Sequence, residues 1–251
     1  MTSIRQMARD AVALTRLPRL TVNLMQAATR ENDPFYGRVV REFYAASRRR
    51  HPKLPLLRAF AYGVAICPLP HSFEDYFMAI EASARRNVKK CQRHGYAFAR
   101  IAYNDHLADI AAVRRSTDVR QGALPEAFLK EELSPCLDPP SRTALHDYPY
   151  FGVLKDGRLV AYAGGLVSGE VFMVEQMYGH AAYQADAVVP MLIIGMAQHL
   201  FEHYPSVKYY AYGTFFGAGV TLRRFKRKFG FLPHRVVWRL DGPSGGGRGD
   251  A

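Results

Sequence analysis

Cysteine is scarce in this chain: Cys67, Cys91 and Cys136 are the only three in 251 residues, widely spaced and with no CxxC pair among them. That count excludes a disulfide scaffold and a zinc ribbon, and predicts reduced thiols in a cytoplasmic protein. Long apolar runs are also missing. No stretch reaches the ~18 residues needed to cross a bilayer, and the N-terminus has no clean apolar segment followed by a small-residue cleavage site. The nine histidines read as scattered, so no metal site is expected. Composition is otherwise that of a globular chain, with 49% hydrophobic and 22% charged residues, which excludes a fibrous or wholly disordered class.

Acidic residues are outnumbered, 22 against 34 basic ones, and the net charge is +12. The excess is segregated. Residues 1–53 carry +7, residues 81–100 carry +5 and residues 221–240 carry +7, which leaves −7 for the rest of the chain. Separated basic segments that converge on one face attract a polyanion such as tRNA, a nucleotide-bearing donor or an anionic membrane. Independently solvated helices are the plain alternative. The first segment interleaves Arg5, Arg9, Arg16 and Arg19 with Ile4, Met7, Val12, Leu14 and Leu17, as a basic amphipathic arm does when it packs on its own domain or makes a peripheral membrane contact.

Periodicity divides the chain into a basic N-terminal extension (1–59), one α/β domain (60–240) and a glycine-rich tail (241–251) whose composition predicts disorder. Phe60–Cys67 reads as a strand ending at Pro68. Ser72 with Asp75 three residues on forms a capping box, followed by an apolar stripe at Phe73, Phe77, Ile80, Ala84, Val88 and Cys91 that predicts one helix ending at Gly95. Next come a strand at Tyr96–Ile101, a helix from Asn104 and another from Pro125. Three strands follow, two of them joined at Asp156-Gly157, a dipeptide suited to the positive φ angles of a tight hairpin. Asp186 is placed as the cap of a helix carrying Val189, Leu192, Ile193, Met196 and Leu200. Strand Val207–Tyr212, helix Val220–Phe229 and strand Arg235–Leu240 close the order β-α-α-β-β-β-α-β-α-β from Tyr96.

Two motifs go further. Ala84-Arg85-Arg86-Asn87-Val88-Lys89-Lys90-Cys91 running to His94-Gly95-Tyr96, and Leu222-Arg223-Arg224-Phe225-Lys226-Arg227-Lys228-Phe229-Gly230, resemble segments of the Fem family within the GNAT acyltransferase superfamily. Val207–Gly213 between them is similar to that family's strand leading into a glycine turn. The resemblance covers roughly residues 60–240 and implies a GNAT-type mixed central sheet flanked by helices, here with a basic helical extension before it. It implies an N-acyltransferase that moves an aminoacyl or acyl group onto a small-molecule or peptide amine. No resident cofactor is implied; aminoacyl-tRNA or acyl-CoA is the co-substrate. The chain has room for one GNAT unit where Fem proteins usually have two. Tyr183-Gln184-Ala185-Asp186-Ala187 stands where acetyltransferases carry a glycine-rich diphosphate loop. Fewer backbone N–H groups can then close on a diphosphate, and Asp186 repels one, which favours aminoacyl-tRNA over acyl-CoA. A non-catalytic nucleic-acid or membrane-binding module on the same fold is the third reading.

Amide formation needs a neutral amine, a path for its proton and a stabilised oxyanion. The resemblance implies that Lys226, in the Phe-Lys motif, places its charge on the oxyanion or on a donor phosphate, with Phe225 in the substrate-binding set. Glu175 lies in the strand where some GNAT enzymes hold a general base. Alternation puts it on one face with Met173 and Met177, half-buried, where a carboxyl pKa rises; a structural ion pair is the other reading. His180 titrates in a useful range, and Tyr212 is placed to donate a hydrogen bond from its strand end. Arg120, with Gln121 beside it in a glycine-bounded loop, is a candidate anion contact. Arg85, Arg86, Lys89 and Lys90 are candidate donor or acceptor contacts.

Overall fold

The computed structural model describes residues 16–242 apart from 52–53, 59, 121–123, 138, 140 and 217, with the backbone alone at 51 and 54–58. The first fifteen residues, Gln121 and the tail from 243 lie outside the described residues. Eleven strands are present among the described residues: β1 (Arg19–Asn23), β2 (Arg50–His51), β3 (Leu54–Arg58), β4 (Tyr62–Pro68), β5 (Tyr96–Ile101), β6 (His146–Asp147), β7 (Tyr150–Lys155), β8 (Arg158–Ser168), β9 (Val171–Gly179), β10 (Tyr209–Thr214) and β11 (Leu232–Arg239). Nine of them form one mixed sheet in the order β1-β11-β4-β10-β9-β8-β7-β5, with β6 paired to β8. The β1–β11 and β9–β10 pairs are parallel. The β7–β8–β9 meander is antiparallel and follows from chain chemistry, because Asp156 and Gly157 take the positive φ values that the hairpin needs.

Helices cover both faces. On one lie α2 (Phe73–Ala79), α3 (Ala82–Arg93) and α6 (Val188–His203). Their apolar stripes meet Phe151, Val153, Val160, Phe172 and Tyr210 in the main core, as the 3.6-residue periodicity requires. Helix α7 (Val220–Lys228) joins this side through Phe225 and the adjoining Phe229. On the other face α1 (Pro34–Arg48) packs Val40, Phe43 and Tyr44 against Val22, Ile66, Met173, Ala211 and Trp238. Helix α4 (Leu107–Arg115) packs Ile110 and Val113 against Leu159 and Tyr162. The short α5 (Glu126–Lys130) completes the helices. No described helix is long and apolar enough to cross a membrane.

Several expectations change. The stripe from Phe73 to Cys91 predicts one helix, but the chain breaks at Ile80, which is extended (φ −71°, ψ 159°). The break is held from both sides. Arg85 donates to the carbonyls of Phe77, Met78 and Ile80, and Glu81 N–H donates to Lys228 O. The capping box at Ser72 is present, with Asp75 N–H donating to Ser72 Oγ at 3.1 Å. Asp186 does not cap α6; Ala187 occupies that position in the left-handed region, and Asp186 belongs to the preceding 3-10 turn. In the basic N-terminal segment Pro34–Arg48 is helical as the sequence predicts, but Arg19–Asn23 is a strand of the main sheet.

Candidate active site

The site is built where two central strands part. Strands β9 and β10 pair in parallel from Val171/Tyr209 to Met173/Ala211 and no further. Each strand bulges just past that point. On β9, Gly165 pairs with Val174 and Gly164 with Gln176, so Glu175 is the extra residue. On β10 the register to β4 jumps between Ala211 and Thr214, leaving Tyr212 and Gly213 outside the ladder. A bulge bends its strand and re-aims a side chain, and here two adjacent ones open a cleft.

The bulge also corrects the strand alternation. Met173 packs with α1 on one face of the sheet, whereas Met177 packs against the main core on the other. The extra residue turns Glu175 into a cavity of about 750 Å³ between α1 and the segments that follow β5 and precede β7. Phe35, Tyr36 and Val39 form one wall; Tyr103, Tyr148 and Tyr150 form much of the rest. Tyr148 Oη donates to Glu175 Oε2 at 2.9 Å. The Glu175 side chain is exposed within the cavity, and the walls around it desolvate it only in part. Burial pushes its carboxyl above the usual carboxylate range, and the Tyr148 hydrogen bond only partly offsets that. At the back, buried Asp147 accepts from Arg100 at 2.9 Å, from Tyr204 Oη at 2.6 Å and from Tyr148 N–H at 2.7 Å, which fixes the strand that presents Tyr148.

Lys226 serves the second bulge. In place of the free charge expected from the sequence, its side chain is 3% exposed. Its ammonium donates to Tyr212 O at 2.7 Å and Thr214 O at 2.8 Å, and sits 4.4 Å from the Tyr212 ring centre. An ammonium has three donors, and the two carbonyls take two of them. Burial lowers its pKa to about 8. Tyr212 is packed against Phe231 and Lys226, and burial raises its phenol to about 12.

No family profile matches this sequence, and no curated protein matches it. Solved structures do. The chain is similar to FemX at 12% identity with a TM-score of 0.50, over 68% of this chain and 59% of that one. Lower-scoring matches are the tandem GNAT protein from the clavulanic acid biosynthesis pathway (13% identity, TM-score 0.44, 87% and 59% of the two chains) and L-PGS from Bacillus licheniformis (15%, 0.43, 70% and 63%). The fold is GNAT-like. The chain spans about three fifths of the length of these structures.

In this GNAT-like frame the remaining expected residues separate. Arg120 lies over the Tyr178 ring at 5.0 Å, at the outer end of β9, and donates to Gly179 O and Val113 O. His180 caps the 3-10 turn, its Nδ1 accepting from Ala182 N–H at 3.2 Å, and stacks edge-on with Tyr183. Arg85 is spent on the carbonyls that end α2, so it is a structural cap and not an open contact. Arg86, Lys89 and Lys90 line the exposed face of α3. Phe225 packs on Phe229 at 5.0 Å. At the N-terminus of α6, Tyr96 Oη donates to Asp186, so a carboxylate and a phenol stand where a diphosphate loop would receive its ligand. The cavity residues Asp147, Tyr148 and Tyr150 were missed. The Asp-Tyr-Pro-Tyr run ahead of a strand was their only local signal, and aromatic residues before strands more often pack than bind. The expectation of scattered histidines also needs correction: His199 and His203 stand four apart in α6.

Proposed function

We propose that this chain is an N-acyltransferase in which Glu175 deprotonates the attacking amine. The observation that carries the reading is the β9 bulge, which sets a carboxyl of raised pKa into an aromatic cavity where β9 parts from β10. The amine enters the cavity with an aromatic or aliphatic body against Phe35, Tyr36 and Tyr103. Its lone pair attacks the carbonyl carbon of an ester or thioester lying in the cleft, and Glu175 takes the proton. The C–N bond forms; the tetrahedral intermediate then expels the carrier's oxygen or sulfur, which leaves with a proton. Tyr212, whose phenol keeps its proton at neutral pH, is the donor we assign to that leaving group. Lys226 acts as a positioning residue, because it holds the carbonyls on both sides of Gly213 and thereby the Tyr212 ring.

Aminoacyl-tRNA is the favoured carrier. Asp186 at the α6 N-terminus disfavours a diphosphate. The basic helices α3 and α7 are neighbours, joined by the Glu81–Lys228 contacts, so two of the three basic segments share one region of the surface. Acyl-CoA is the alternative carrier. The experiment is transfer of a labelled group from aminoacyl-tRNA or acyl-CoA to a panel of amines, read by mass spectrometry. Glu175→Gln is expected to lower the rate by about 10²–10⁴-fold with substrate binding retained. The wild-type rate should rise with pH through the raised carboxyl pKa, and the variant should lack that limb. An unchanged rate in Glu175→Gln would exclude it as the base. If tRNA is the carrier, its affinity must fall steeply with salt as phosphate counterions are released.

A further inference from the structure

The last turns of α6 hold a second group of reactive side chains that acyl transfer does not use. His199-Leu200-Phe201-Glu202-His203 puts two imidazoles at i and i+4 and a carboxylate at i+3, positions that share one surface of an α-helix. One ligand atom from each lies within 4.8 Å of the other two, and the two imidazole rings stack at 3.9 Å with 14° between their planes. His203 Nδ1 is 3.2 Å from His199 O. A carbonyl only accepts, so Nδ1 carries the proton and Nε2 keeps its lone pair, the tautomer and orientation typical of a metal-ligating histidine. His199 Nε2 is shielded from solvent and has no hydrogen-bond partner among the described residues, an uncommon condition for a buried polar atom. Gln198 Nε2 donates to Glu202 Oε1 at 2.8 Å and steadies the carboxylate on the same face.

We propose that His199, Glu202 and His203 bind one divalent transition-metal ion, Zn²⁺ foremost. Two imidazoles and a carboxylate form the donor set of open three-ligand zinc sites, and this set suits Zn²⁺ better than Mg²⁺ or Ca²⁺, which prefer all-oxygen ligands. The carbonyls at the C-terminal end of α6 add partial negative charge nearby. Arg100, which lines the cavity next to His199 and Glu202, is paired with Asp147 at 2.9 Å. His199 and Glu202 also line a separate cavity of about 450 Å³ with Gln92, Tyr96, Phe98 and Arg100, which gives a fourth ligand, water or a small anion, a way in. Zinc needs its ligand atoms at about 2.0–2.2 Å. Glu202 and His203 are exposed, so drawing the three together rotates surface side chains and leaves the core alone.

The test is calorimetric titration of metal-stripped protein with ZnCl₂, with Co²⁺ as the spectroscopic probe. One Zn²⁺ should bind per chain and raise the melting temperature. His203→Ala and Glu202→Gln, both at exposed positions and expected to melt like wild type without metal, should each weaken binding about tenfold or more. Cys136→Ser should bind as wild type does. The proposal is overturned if wild type binds no stoichiometric Zn²⁺, or if both helix variants bind it undiminished. A thiolate charge-transfer band on Co²⁺ would overturn it too, because the ion would then sit on cysteine.

Discussion

Glu175 lies in one bulge and Lys226 holds the other, and burial moves their pKa values towards each other. For Lys226 the consequence is a definite pH dependence of stability. The folded lysine gives up its proton near pH 8, whereas the unfolded one holds it to about 10.5. Between those values the unfolded chain binds more protons, so the contribution of Lys226 to stability rises with pH across that window. Lys226→Met leaves Tyr212 O and Thr214 O without their donor, which costs about 1–3 kcal/mol. We expect the difference between wild type and variant in urea unfolding to be larger at pH 9.5 than at pH 7. A constant difference would mean that the two carbonyls hold the ammonium charged against burial. At both pH values the variant should also transfer more slowly, through a displaced Tyr212.

Among the elements, the β9 bulge rests on the strand opposite it. Gly164 and Gly165 face the extra residue, and a Cβ at Gly165 would meet the Met173 carbonyl and approach the Phe172 ring at 2.8 Å. Backbone cannot swing aside as a flexible side chain can. Gly165→Ala should therefore cost about 1–3 kcal/mol, as overpacking does, and should displace Glu175. A thermal melt checks the first effect. Loss of the rising pH–rate limb without loss of fold checks the second. Neither bulge was legible beforehand: alternation along Val171–Tyr178 reads as an unbroken strand, and only pairing with Gly164–Gly165 reveals the surplus residue. The Asp156-Gly157 hairpin and the Ser72 cap were legible, because their chemistry is complete within four residues.

At the level of the whole molecule, the N-terminal strand works as a staple. Leu24 O accepts from Ser168 Oγ and pairs with His146 Nε2, each at 3.1 Å, and Asn23 O accepts from Glu170 N–H. These bonds tie the sheet edge at β1 to the turn that starts β9. Removing residues 1–24 would orphan a buried histidine and a buried serine, so we expect a melting temperature lower by several degrees; an unchanged melt would show that β1 is dispensable. Acid should act on the same region. Burial holds His146 and His234 below the ordinary histidine pKa of 6.5. Below pH 6.5 the unfolded chain takes up protons that the folded one refuses, so the stability these groups hold above that pH is lost as pH falls. Calorimetric unfolding at pH 6 in buffers of different ionisation enthalpy should record that proton uptake.

Local chemistry in the chain was enough to specify the element order from Tyr96 to Arg239 apart from the two-residue β6, the apolar face of α6 and the segregation of basic charge, because periodicity, caps and turns depend on neighbours within a few residues. Tertiary contact decided the rest. Arg85 reads as a free cation until helix α2 ends against it, and Lys226 reads as a charge for an oxyanion or a phosphate until two carbonyls of a bulged strand close on it. Gly164, Tyr148 and Glu175 meet only when β7, β8 and β9 pair, and the cavity exists only because α1 packs across from Tyr103 and Tyr148–Tyr150. A side chain's type and spacing set what it can do; which groups surround it, and so whether it is solvated, capped or held at a site, depends on strands far apart in sequence coming into register.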